Sequence, residues 1–119
     1  MKKKLAIIGA GIAGLTLANL LKNYSDHEFT IYEKEENLPL NEGYGIQLST
    51  NCIKILNLIN FKKISNGNIF HPSKIDFYNI KNKKICDFDL AQFNKFDCKY
   101  TTLQRSTLIE FLKEDVYNR

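Results

Sequence analysis

The hexapeptide Gly9-Ala10-Gly11-Ile12-Ala13-Gly14 limits what this chain can fold into more than any other segment. Before it, Lys4 to Ile8 is a short apolar run with the profile of a buried parallel strand. After it, Ile12, Leu15, Leu17, Leu20 and Leu21 cover most of a helix surface between about Gly11 and Asn23, so that helix should be buried on more than one side. Ser25-Asp26-His27 reads as a polar turn. Phe29-Thr30-Ile31-Tyr32 reads as a second strand of β-branched and aromatic residues, ending at Glu33. Strand, helix and strand make one βαβ unit, right-handed by default.

Each glycine then has a physical task. Gly9 lets the chain turn sharply out of the strand, Gly11 lets a pyrophosphate approach the backbone, and Gly14 lets the helix pack closely on the sheet. The phosphates would meet free N–H groups at the positive end of the helix dipole. Glu33 follows Gly14 by 33 − 14 = 19 residues, where a carboxylate can accept hydrogen bonds from an adenosine ribose. That carboxylate repels a 2′-phosphate, which points to the adenosine of FAD or NAD and away from NADP. The βαβ unit does not choose between these two. Incidental glycines in a tight turn and a solvated acid at a strand end are the competing readings. The glycines, both flanking elements and the acid occurring together favour a dinucleotide site.

Further along, Lys34 to Glu42 is a charged loop in which Pro39 bars a regular helix. Ser49 or Thr50 can cap a helix carrying Ile53, Leu56 and Ile59 on one face. Lys62 to Pro72 is polar and irregular, and Ile75–Tyr78 and Ile85–Phe88 flank Lys81–Lys84 as a hairpin. Thr107 and Glu110 have capping-box spacing before a last helix with Leu108, Ile109, Phe111 and Leu112 on its apolar face. The expectation is one α/β domain over 1–119. It comprises a Rossmann-like βαβ unit at 1–34, an insertion with helix and β-hairpin at 35–105 and a helix at 106–119, around an incomplete parallel sheet.

The remaining composition mostly excludes. The formal charge of +4 comes from lysines spread along the chain, which makes no clustered nucleic-acid surface. Cys52, Cys86 and Cys98 are isolated, and His27 and His71 lie off ligand spacing from them, so reduced thiols, no metal site and a cytoplasmic location are expected. Lys2-Lys3-Lys4 before an apolar run imitates a signal peptide. The run Leu5–Leu21 includes Thr16 and Asn19 and falls short of the roughly 20 residues a membrane span needs.

Read in order, GAGIAGLTLANLL, Glu33-Lys34, GYGIQLSTN and LQRSTLIEFL resemble the N-terminal part of class A flavoprotein monooxygenases, the aromatic hydroxylases related to salicylate hydroxylase and para-hydroxybenzoate hydroxylase. The resemblance runs from about residue 4 to about residue 113. It implies FAD as cofactor. Gly9, Gly11, Ile12, Ala13 and Gly14 would cradle its pyrophosphate, Glu33 would bind the ribose and Lys34 would line the adenine side. Gly45 and Ile46 would pass close to the flavin and ribityl chain, and Arg105 would reach back to the phosphate and ribityl region. Local chemistry agrees on Arg105, because a planar guanidinium forks onto phosphate oxygens as an ammonium cannot, and this chain otherwise uses lysine apart from Arg119.

Thr50 stands where many members have proline and Cys52 where they usually have alanine. More consequential, the resemblance implies two downstream motifs and most of a substrate pocket that this sequence does not contain. In complete members FAD is reduced by NAD(P)H, and oxygen is delivered to a small aromatic or similar substrate. No catalytic residue is expected in this segment, and Tyr44 reads as a packing aromatic. Self-association, or a partner carrying the rest of the fold, is expected. A truncated inactive remnant and an NAD-linked Rossmann oxidoreductase are the alternatives.

Overall fold

The computed structural model describes residues 1–37 and 43–117; Pro39 and Arg119 lie outside the described residues. Strand β1 (Lys3–Ile8), helix α1 (Ile12–Leu21) and strand β2 (His27–Tyr32) form the expected βαβ unit, with β1 and β2 parallel from Lys3 opposite His27 to Ile8 opposite Tyr32. His27 belongs to the strand and not to the preceding turn. Lys3 N–H donates to Asp26 O at 2.9 Å, which continues the ladder to the start of β1.

The buried strand expected at 4–8 is corrected: of β1 only Ile7 is buried, and Ile8 is 81% exposed. A parallel strand is buried throughout only when both faces and both edges are covered. Here the sheet has two strands, and the face carrying Ala6, Ile8, Thr30 and Tyr32 is largely bare.

Strand β3 (Gly45–Leu48) leads into helix α2 (Thr50–Leu56), which tightens into a 3-10 turn over Asn57–Ile59. Ile53, Leu56 and Ile59 are all buried, as their spacing requires. Ser49 occupies the N-cap position, but its hydroxyl bonds Asn51 Oδ1 and Cys52 Sγ instead of the helix backbone. Asn60, in the left-handed region at φ 65°, then turns the chain so that Phe61 is buried.

The stretch expected to be irregular contains a short strand, β4 (Ile69–Phe70). Strands β5 (Lys74–Tyr78) and β6 (Lys84–Asp89) follow as the expected antiparallel hairpin, and β7 (Thr101–Gln104) comes after them. β3, β7 and β4 make a second, antiparallel sheet. The hairpin has two unlike faces. Ile75, Phe77, Cys86 and Phe88 share one, and Lys74, Asp76 and Asp87 share the other, where Lys84 reaches Asp76 at 3.0 Å and Asp87 at 2.8 Å. Phe93 stacks on Phe88 at 5.3 Å. The protruding hairpin fits a radius of gyration of 17.1 Å, against about 13.5 Å for a compact domain of this length.

Helix α3 (Arg105–Tyr117) begins two residues before Thr107, which therefore sits in the first turn and is not the cap. The pairing of β7 with β3 sets this early start, because Arg105 N–H donates to Tyr44 O at 3.1 Å just beyond the last strand pair. Leu108, Ile109 and Leu112 pack into the core with Leu15 of α1.

One polar residue joins the two helices. Asn19, 6% exposed, donates its side-chain N–H groups to Leu15 O and Leu112 O, each at 2.8 Å. Farther along, Lys22, Asn23 and Asp115 line one surface cleft. α1 and α3 therefore run in the same direction. Asn19 and Leu112 are each the eighth residue of their helix.

Asn19→Ala should remove both bonds and leave a small void in the helix interface, costing about 2 kcal/mol. Chemical denaturation at constant m-value would show it; a midpoint equal to that of the parent would mean that Asn19 does not hold the helices together.

Candidate dinucleotide-binding site

The glycine loop is shaped by backbone contacts that side chains would block. Gly9 has φ +98°, which L residues rarely adopt, and its N–H donates to Tyr32 O at 2.7 Å. A Cβ on Gly14 would lie 2.0 Å from Gly9 O and 3.2 Å from Ile7 Cγ2. The helix can therefore approach the end of β1 only with glycine at 14. A Cβ on Gly11 would meet nothing within 4 Å. The fold does not need glycine there, and the space in front of it is open.

The first helical hydrogen bond of α1 runs from Leu15 N–H to Gly11 O at 2.9 Å. The N–H groups ahead of Leu15 have no acceptor within the helix. Gly11 offers no side-chain cap, and no acidic residue stands in the first turn. The mouth of α1 thus keeps its donors and its partial positive charge available to an anion.

Glu33 closes one side of this mouth. Its Oε2 accepts from Ala10 N–H at 2.6 Å and its Oε1 from Glu35 N–H at 3.1 Å. The Ala10 N–H, followed by that of Glu35, holds the carboxyl below its ordinary value of 4.5. Each carboxylate oxygen keeps a further lone pair for a ligand hydroxyl.

Two of the other expected residues lie in β3. Gly45 opens β3 opposite Gln104, and Ile46 stands opposite Leu103. The Ile46 side chain packs against the core, which leaves its backbone for any ligand. A Cβ on Gly45 would make an ordinary 3.9 Å contact with Leu103 O, so packing alone does not demand glycine there. Arg105 heads α3, the helix that packs beside α1. Its guanidinium centre lies 5.7 Å from the Tyr44 ring.

Lys34 is different. It is exposed, its Nζ lies 3.8 Å from Glu35, and no contact ties it to the loop. Sequence reasoning missed the Ala10–Glu33 bond and the stacking of Tyr44 on Arg105. The first had a signal in the acid's position one residue past β2; the second depends on strand pairing across 59 residues (104 − 45 = 59).

A cleft of about 240 Å³, lined by Ile53, Phe61, Lys62, His71, Asp97 and Lys99 among others, shares no residue with this site. Among the described residues no cluster of His, Cys, Asp and Glu could hold a metal, and no helix is long and apolar enough to cross a membrane. Cys52, Cys86 and Cys98 are free thiols.

Residues 7–41, which span the glycine loop, α1, β2 and Glu33, match the family described as NAD(P)-binding Rossmann-like domain. No curated protein sequence matches the chain. Solved structures match nearly all of it. The tetrameric form of 2-methyl-3-hydroxypyridine-5-carboxylic acid oxygenase superposes with TM-score 0.77 at 22% identity, over 98% of this chain and 29% of that one. HpxO of Klebsiella pneumoniae, complexed with FAD and uric acid, gives TM-score 0.72 at 22% identity, over 98% and 29%. PqsL, a probable FAD-dependent monooxygenase from Pseudomonas aeruginosa, gives 0.70 at 17%, over 98% and 31%. The chain has the fold of the N-terminal part of FAD-dependent monooxygenases. It spans less than a third of the length of these relatives. The Rossmann-like α/β class, with its incomplete parallel sheet, is as expected.

Two outcomes check this site without any ligand. Gly14→Ala should lower stability by about 3 kcal/mol through the clash with Gly9 O, while Gly11→Ala changes it by under about 0.5 kcal/mol; equal denaturation midpoints for the two variants would contradict the packing described. Because Glu33 is held below 4.5, its bond to Ala10 is fully present above that pH and is lost as pH falls through the lowered folded value. The Ala10 amide resonance should therefore titrate with a midpoint below 4.5; one at or above 4.5 would rule the bond out.

Proposed function

We propose that this chain is the FAD-binding N-terminal segment of a flavin-dependent monooxygenase and that its glycine loop holds the ADP half of the cofactor. One observation carries the reading: an open helix mouth with free amides has the Glu33 carboxylate bonded to its rim at Ala10. An anionic diphosphate suits the amides, and an ionised acceptor beside them suits a ribose diol. A 2′-phosphate would meet a carboxylate already charged at neutral pH.

Within this reading, Gly9 shapes the loop, and the N–H groups of Gly11, Ile12, Ala13 and Gly14 bind the pyrophosphate. Glu33 accepts from the ribose, and Arg105 neutralises phosphate charge from the neighbouring helix mouth. Lys34 flanks the adenine, and the backbone at Gly45 and Ile46 follows the ribityl chain towards the flavin. FAD, when bound, supplies the redox chemistry between NAD(P)H, oxygen and a small aromatic or similar substrate. This chain's residues bind and orient; none of them is placed to move a proton on a substrate. The second sheet and α3 extend the structural likeness over 98% of the chain, which favours FAD over the plain NAD unit that residues 7–41 alone would allow. Turnover is proposed for the segment together with polypeptide that supplies a substrate pocket.

Titration of FAD with the purified chain should give saturable quenching of flavin fluorescence, competed by ADP. Gly11→Val, which fills the open space where the diphosphate must approach, should weaken binding at least about tenfold. Equal affinity of parent and variant would show that the diphosphate lies elsewhere.

A further inference from the structure

Arg105 is the one arginine among the described residues, and it stands where a cation is least favoured, at the N-terminal end of a helix. Among the described residues its guanidinium has no ion pair and no hydrogen-bond acceptor; its side chain meets the Tyr44 ring at 5.7 Å. Tyr44 also accepts the N–H of Arg105 at its own carbonyl, 3.1 Å away, just before Gly45 pairs with Gln104. One residue therefore holds both the backbone and the head group of Arg105.

A guanidinium held over a ring gives this hold a use. The attraction of a cation to an aromatic ring acts through the flat face, whereas the five N–H donors point outwards along the edge. Contact with the ring therefore confines the head group without occupying a donor. A long side chain that would otherwise sample many rotamers is kept as a fork ready for paired oxygens. α1 and α3 pack against each other through Asn19 and Leu112, so Arg105 heads the helix that neighbours the one opened by the glycine loop. The Tyr44 ring remains 52% exposed, which excludes a role confined to filling the core.

We propose that Tyr44 is a positioning residue: its ring lies under the Arg105 guanidinium and turns the donor edge towards the diphosphate of the bound dinucleotide. This rests on the FAD reading of the site. Arg105 makes the contact, and Tyr44 acts through it.

The test measures FAD and adenosine affinities for the parent, Tyr44→Ala, Tyr44→Leu, Tyr44→Phe, Arg105→Ala and the Tyr44→Ala/Arg105→Ala double variant. The Leu variant keeps bulk at position 44, so a folding defect confined to Ala does not decide the matter. Tyr44→Ala and Tyr44→Leu should weaken FAD about two- to fivefold, the scale of an exposed cation–aromatic contact. Phe should restore parent affinity, adenosine affinity should not move, and the double variant should match Arg105→Ala. Additive losses, a fall in adenosine affinity or failure of Phe to rescue would overturn the role of Tyr44. If Arg105→Ala and Gly11→Val weaken FAD while Tyr44→Leu equals the parent, Tyr44 alone is refuted. If Arg105→Ala and Gly11→Val both leave FAD binding intact, the site reading falls and takes the role of Tyr44 with it.

Discussion

Helix α1 rests on the end of β1 through bare backbone, with position 14 facing the carbonyl of Gly9 at a separation no side chain could occupy. That contact sets where the loop between them turns. It carries Ala10 into the core and aims its N–H at the acid that ends β2. It also fixes the line along which α1 leaves the sheet, and so the face on which Leu15 and Asn19 meet α3. A larger residue at 14 would displace loop, acid and second helix together.

The charges around the helix mouth are arranged with the same dependence. Glu33 is stabilised as an anion by backbone N–H groups more than by any lysine, so its ionisation is a property of the loop's shape. Across the mouth, Arg105 would ordinarily be repelled by the start of its own helix. The Tyr44 ring compensates locally, and an anion between the two helix starts would compensate further. In the FAD reading proposed above, Glu33 would accept from the sugar and Arg105 would neutralise the phosphates.

Features determined by neighbours in sequence were legible without the structure. The glycine spacing, the three buried isoleucine and leucine positions of α2 and the turn that extends it, and the two runs of the hairpin each follow from local periodicity. The β3–β7–β4 sheet was not legible. Its strands have two to four residues, and Ile46 pairs with Leu103 across 57 residues (103 − 46 = 57). Thr107 looked like a cap because its spacing to Glu110 is right, yet strand pairing starts the helix at Arg105. β1 looked buried because its composition suits a sheet with more strands than two. At the site, Gly9, Gly14 and Glu33 were readable from position alone. Tyr44 was read as packing because its partner is a residue that only the second sheet brings near.

The hairpin β5–β6 divides its chemistry cleanly, with a ladder of lysine and aspartate on one side and phenylalanines on the other. Salt acts on these sides in opposite senses. Ionic strength mutes the ladder, while sulfate or phosphate ions raise the drive to shield the aromatic side from water. The two sides of the hairpin therefore answer to different properties of a salt, one to its ionic strength and the other to its exclusion from apolar surface.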